Sequence, residues 1–131
     1  MATIFTRIIK GEIPCYKIYE DENYFAFLDI NPLQKGHTLV IPQNEDDYIF
    51  DLDDATYSGL MMTAKKIAAA IKESTNCKRV GVTVLGMEVP HVHIHLVPMN
   101  SEKDMLFSNP KMELSKEEFE AIAADIAKRV K

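Results

Sequence analysis

Residues 90–98 read PHVHIHLVP, and alternation this strict fits a β-strand, not a helix. Successive side chains on a strand point to opposite faces. His91, His93 and His95 would therefore share one face, and Val92, Ile94 and Leu96 the other. The apolar set must meet a core. The imidazole set needs partners, because each neutral ring carries one donor and one acceptor. The chain holds 4 histidines, and only His37 lies outside this stretch.

The remaining elements follow from spacing and punctuation. Ile4, Phe5, Ile8 and Ile9 are helically spaced, and Gly11 ends that segment. CYKIYED and YFAFLDI alternate around a polar turn at residues 20–23 and read as a hairpin. HTLVIP is a short buried strand stopped by Pro42. A long helix is expected over about 54–74, capped by Asp53 or Asp54, with Leu60, Met61, Ala64, Ile67, Ala68 and Ile71 as its apolar stripe. RVGVTVLG is a strand, and HVHIHLVP is another that Pro98 should stop. Residues 99–113 form a loop whose Met and Phe residues should pack. A capping box of Ser115 and Glu118 opens a last helix along Phe119, Ile122 and Ile126. The order α, β, β, β, α, β, β, α with short turns gives an antiparallel sheet with helices on one side, an α+β fold.

Length and charge narrow the class. A chain of 131 residues suits one domain over residues 1–131, with a core of about 2–100 and a C-terminal loop and helix from about 101. A net charge of -5 gives little counterion release, so nucleic acid is not an expected partner. No apolar run reaches the roughly 18 residues of a membrane span, and no signal peptide is visible. Cys15 and Cys77 are isolated, which points to a reducing, cytoplasmic setting and to buried thiols.

Three uses of the histidine row compete: a polar sheet face, a metal site, or nucleophilic catalysis. Along a straight strand, the outer rings would lie about 13 Å apart, too far to share one ion with bonds of about 2 Å. No metal and no cofactor are expected. Imidazoles about 6 to 7 Å apart suit a phosphoanhydride or phosphoramidate: one ring attacks phosphorus and its neighbours hold the oxygens or the leaving atom.

The run His91-Val92-His93-Ile94-His95-Leu96-Val97 resembles the signature of the histidine-triad (HIT) superfamily. Residues 4–42 resemble the N-terminal half of its Hint-like branch, and residues 79–98 do so in part. The resemblance implies a HIT-like fold with about five antiparallel strands, a long helix and a C-terminal helix. It implies a hydrolase or transferase acting at the α-phosphate of purine nucleotide conjugates: nucleoside 5′-phosphoramidates, adenylated or dinucleotide substrates. His93 would be the nucleophile, forming a covalent nucleotidyl-histidine. His95 would contact the phosphate and the departing group, and His91 and His37 would hold His93 in its reactive tautomer. Phe5, Ile8, Ile13, Phe27 and Ile30 would sandwich the purine, and Asp29 would take the ribose hydroxyls. Hint-like proteins form homodimers, and helix 54–74 would then be the interface helix.

This chain departs from the family before the triad, where Gly-Gln-Ser or Gly-Gln-Thr is usual. Gly86 stands for the Gly, but Met87 and Glu88 replace the polar pair. Met87 cannot donate a hydrogen bond, and Glu88 brings negative charge toward a phosphate. A second reading follows: a nucleotide-binding regulatory module with weak or no turnover. Thr6 stands where some bacterial relatives carry a zinc-binding Cys, so no structural zinc is expected. The tail beyond residue 99 is expected to pack beside the active site of its own or a partner subunit.

Overall fold

The computed structural model describes residues 2–131. The elements run α1 (Ile4–Ile9), β1 (Lys17–Glu20), β2 (Tyr24–Leu28), β3 (Thr38–Pro42), α2 (Asp54–Thr75), β4 (Arg79–Thr83), β5 (Ile94–Met99) and α3 (Lys116–Arg129). Short 3-10 turns at Ile49–Asp51 and Glu102–Met105 precede α2 and follow β5. The strands form one sheet in the order β1-β2-β3-β5-β4, with every pairing antiparallel.

Strand alternation sorts the side chains into two layers. Tyr24, Ala26 and Leu28 of β2, Val40 of β3, and Ile94 and Leu96 of β5 join the larger core. There they meet Leu60, Ala64, Ile67 and Ile71 of α2 and Phe119, Ala123 and Ile126 of α3. Phe25, Phe27, Leu39 and Ile41 project the other way, against Phe5 and Ile8 of α1. The expectation that all helices lie on one side is thus corrected. The short α1 covers the opposite face because β2 is buried on both sides, leaving a second apolar layer to be covered.

Helix ends are set locally. The Asp53 side chain accepts from the Thr56 N–H, and Asn76 closes α2 in the left-handed conformation. Ser115 and Glu118 form the expected capping box on α3. Gly59 is required by packing: a Cβ there would run into the Tyr24 ring, whose hydroxyl donates to the Thr56 carbonyl at 3.0 Å. Leu60, Ala64, Ile67 and Ile71 of the expected α2 stripe are buried, and the stripe differs only at its edges. Met61 is exposed and Ala68 half-buried, while Thr63 and Ala70 are buried. Thr63 is polar and Ala70 small, and apolar character alone does not reveal that they turn inward.

Two corrections concern the histidine strand. The ladder begins only at Ile94, because β3 pairs with β5 solely through Thr38↔Leu96, Leu39↔His95 and Val40↔Ile94. His91 and His93 precede the strand, and the backbone there is tied elsewhere: the Val92 N–H donates to the Asp46 carbonyl at 2.6 Å. Pro98 does not stop the strand but pairs with Val80 inside it. Pairing with β3 has already ended at Leu96, so an absent N–H is tolerated on that side.

Candidate active site

The face carrying Phe27 and Leu39 also carries His95, since these residues stand in register across β2, β3 and β5. A cavity of about 490 Å³ opens there, a size suited to a small-molecule ligand. Phe5, Ile8, Ile13, Phe27, Asp29, Ile30 and Gly86 all line it, together with His93 and His95. Ile30 is 64% exposed and sits at the mouth. His37 and His91 do not line the cavity; they lie behind it, 1% and 0% exposed.

Main-chain partners assign the ring protons. The Leu33 N–H donates to His37 Nδ1 at 3.0 Å, so a neutral His37 carries its proton on Nε2. That Nε2 lies 3.0 Å from His95 Nδ1, which must then accept, leaving an N–H on His95 Nε2. His93 Nδ1 lies 2.7 Å from the His91 carbonyl oxygen. A carbonyl only accepts, so His93 Nδ1 is protonated and Nε2 keeps its lone pair. Among the described residues no buried side-chain nitrogen or oxygen lacks a partner. The unbonded Nε2 atoms of His93 and His95 therefore belong to the open side, where both rings line the cavity. One presents a lone pair and the other an N–H.

Burial keeps the supporting rings neutral. It pushes His37 down to about 3, helped by neighbouring His95 and Lys111. It pushes His95 down to about 4, helped by His93. It also lowers His91. Desolvation disfavours a charged ring: His37 and His95 pack against each other and against Phe107, 5.0 Å from His95 between ring centres, and His91 packs against Phe5.

Of the two supporting histidines, His91 meets His93 as expected, while the expected contact of His37 with His93 is corrected. The His37 side chain bonds His95, not His93. His91 holds His93 through its main-chain oxygen, while its own ring faces Thr3 and Pro42. The pairing of His37 with His95 could not be read from spacing, because 58 residues separate them and the register across β3 and β5 decides it.

Asp29 is held at the cavity wall by the Asn31 N–H, 2.8 Å from Oδ1, and burial raises its carboxyl above the usual range. Asp29, His37 and His95 offer three ligand atoms within 4.8 Å of one another, a cluster that strand spacing did not suggest. Their hydrogen bonds do not suit a metal. A cation would need the lone pair of His37 Nε2, but the Leu33 N–H fixes the proton on that atom.

Met87 and Glu88 stand at the cavity rim. Met87 is 88% exposed, and Glu88 is also exposed. Gly86 has φ +68, a conformation that favours glycine. Cys15 is half-buried: it packs against the smaller core and also lines the cavity. Residues 105–111 bring two groups that sequence reasoning did not single out for the site: Phe107 over His95, and Lys111, the one cationic side chain among the described lining residues. The Lys111 ammonium is anchored by the carbonyls of Phe107 and Asn109, at 2.5 and 3.1 Å. Apolar residues in an otherwise polar loop were the only sequence signal that this tail packs.

Such a sheet, with imidazoles facing a largely apolar cavity beside a carboxylate, defines an α+β protein of HIT-like architecture. The HIT domain pattern matches residues 10–102, and the chain belongs to the HIT family. Adenosine 5′-monophosphoramidase hnt1 of Schizosaccharomyces pombe is 35% identical over 133 residues, covering 100% of both chains. Protein hit of Bacillus subtilis is 34% identical over 137 residues, covering 97% of this chain and 93% of its own. The crystal structure of a Hit-like protein from Bartonella henselae matches with a TM-score of 0.82 at 30% identity, covering 97% of this chain and 95% of that one.

The depressed histidines predict a pH effect on stability. Their folded values lie below about 6.5, the unfolded value, so the unfolded chain binds protons first as pH falls. The stabilisation is full above about pH 6.5 and is lost progressively as pH falls toward about 4 and then about 3. Asp29, shifted upward, acts in the opposite sense, but only in the carboxylate range. The urea midpoint should therefore fall between pH 7 and pH 5, and fall less in a His37→Asn variant. Equal midpoints at both pH values in the wild type would contradict the assignment.

Proposed function

We propose that this protein hydrolyses purine nucleotide conjugates at the α-phosphate through a covalent nucleotidyl-His93. The preferred substrates are nucleoside 5′-phosphoramidates, with adenylated or dinucleotide substrates second. The observation that carries the reading is the fixed pair at the cavity: an Nε2 lone pair on His93 beside an Nε2–H on His95. The name of the fission-yeast relative, an adenosine 5′-monophosphoramidase, supports the same chemistry.

In this reading the base lies among Phe5, Ile8, Ile13, Phe27 and Ile30, and Asp29 accepts from the ribose hydroxyls. His93 Nε2 attacks phosphorus, and the bond to the leaving nitrogen breaks. The imidazolium so formed keeps its Nδ1–H on the His91 carbonyl. The Nε2–H of His95 bonds the leaving atom or a phosphoryl oxygen as charge develops there. Water then attacks phosphorus and the bond to His93 breaks. The nitrogen freed in the first step takes a proton from solvent and departs as the amine; in the second, the water's hydroxyl stays on the nucleotide and its proton returns to solvent. The two steps replace one difficult displacement. Lys111 offers the phosphate a cation on a site whose rim residue Met87 has no donor.

One observation favours the alternative of a binding module with weak turnover: exposed Met87 supplies no hydrogen bond where the family usually has Gln. Incubation with an adenosine 5′-phosphoramidate separates the two. The hydrolase reading expects released AMP and an AMP adduct on His93 by mass spectrometry. His93→Ala should lower turnover by roughly 10⁴-fold or more while AMP still binds. No adduct and no AMP from the wild type would favour the binding module.

We also infer a homodimer. β4 is an edge strand with Val82 and Leu85 exposed near it, and α2 exposes Tyr57, Met61 and Met62. Exposed apolar groups of this kind suit burial against a second copy. Light scattering on the eluting protein should give twice the chain mass of 14.9 kDa; a mass of one chain at micromolar concentration would remove the dimer. Among the described residues no helix is long and apolar enough to cross a membrane.

A further inference from the structure

Behind His91, on the side away from the cavity, lies a polar cluster that the chemistry above does not use. The Thr3 N–H and the Thr6 hydroxyl both donate to Glu45 Oε1, each at 2.6 Å. Thr3 Oγ1 accepts from the Thr6 N–H and lies 3.1 Å from His91 Nδ1. His91 Nε2 lies 2.9 Å from the Pro42 carbonyl oxygen. That oxygen only accepts, so the His91 proton sits on Nε2 and Nδ1 takes the Thr3 hydroxyl proton. Thr6 lies 3.5 Å from the same Nδ1 but gives its proton to Glu45. The Thr3 hydroxyl also lies 3.3 Å from Thr6 Oγ1, but with the Thr6 proton on Glu45 it is the donor left for His91 Nδ1, at the shorter distance.

The cluster joins three separate segments. Thr3 caps α1, which carries Phe5 and Ile8 into the cavity wall. Glu45 lies just beyond β3, on the stretch that also provides the Pro42 and Asp46 carbonyls. His91 lies in the segment between β4 and β5, outside the ladder. Without ladder bonds, that segment depends on such ties for its position. Phe5 shows how close the joined parts are: its ring centre is 5.8 Å from that of His91 and 5.0 Å from that of His93.

We propose that Thr3, Thr6 and Glu45 are positioning residues for His93. They lock the His91 ring, and with it the carbonyl that fixes the His93 tautomer, to the helix that walls the cavity. The proposal rests on the hydrolase reading. It adds to that reading a chain of control running from an exposed carboxylate to the nucleophile. A plain capping role for Thr3 makes a different forecast, since a cap changes stability and leaves the rate constant of the bound complex alone.

The test uses full-length Thr6→Val, Thr6→Ser and Glu45→Ala proteins with adenosine 5′-monophosphoramidate, well below each protein's unfolding transition. Thr6→Val removes the hydroxyl while keeping the shape, and Thr6→Ser restores it. Glu45 is exposed, so its replacement gives a second reading if the valine variant folds poorly. The expected result is a kcat about tenfold lower in Thr6→Val and in Glu45→Ala, roughly what one well-placed hydrogen bond is worth. KM should change by less than kcat, and Thr6→Ser should recover most of the rate. Unchanged kcat in both folded variants beside an active wild type overturns the positioning role alone. A wild type that releases no AMP overturns the hydrolase reading, and the positioning claim falls with it.

Discussion

Two main-chain groups, the Leu33 N–H and the His91 C=O, set the proton pattern of the whole site. Neither can reverse its role: an amide nitrogen donates and a carbonyl accepts. From the first, His37 and then His95 inherit one orientation, ending in an N–H toward the cavity. From the second, His93 inherits the other, ending in a lone pair. Two chemically identical side chains two residues apart are thereby made unlike. Burial reinforces the pattern by keeping His37 and His95 neutral well below neutral pH, so neither ring scrambles it by taking a second proton.

The sheet allows this arrangement because its two faces are used differently. One face is a conventional core beneath α2 and α3. The other carries the small apolar cluster under α1 and His95, and the cavity opens beside them. Phe5 serves both functions: it packs on Phe27 at 5.5 Å between ring centres and also touches His93. A substrate base bound there would complete an apolar layer that the protein itself leaves partly open, consistent with a stabilising ligand.

Much of this was legible in the sequence. Alternation in CYKIYED and YFAFLDI, and a short apolar run closed by Pro42 in HTLVIP, gave strands because β-branched and aromatic residues in such runs have few other uses. Asp53, Ser115 and Glu118 gave helix starts because a capping side chain acts on its own neighbours. The five apolar residues and Asp29, singled out by resemblance, all reach one cavity. Contacts distant in sequence were less legible. The HVHIH run reads as strand throughout, yet its ladder starts at Ile94, because the end of β3 decides where pairing begins. The partner of His37 depends on cross-strand register. The Thr3–Thr6–Glu45 cluster joins residues about 40 positions apart with no local signature. Pro98 misled because its usual meaning assumes neighbours on both sides of the strand.

Backbone geometry fixes the proton of His93 on Nδ1 and its lone pair on Nε2 before any substrate arrives. The most direct measurement is the ¹⁵N spectrum of the histidine rings in the resting wild-type protein at pH 7. A protonated Nδ1 and an unprotonated Nε2 on His93, with the opposite pattern on His95, is the result expected. A proton found on His93 Nε2 would contradict the account, because the atom assigned to attack phosphorus would have no lone pair to give.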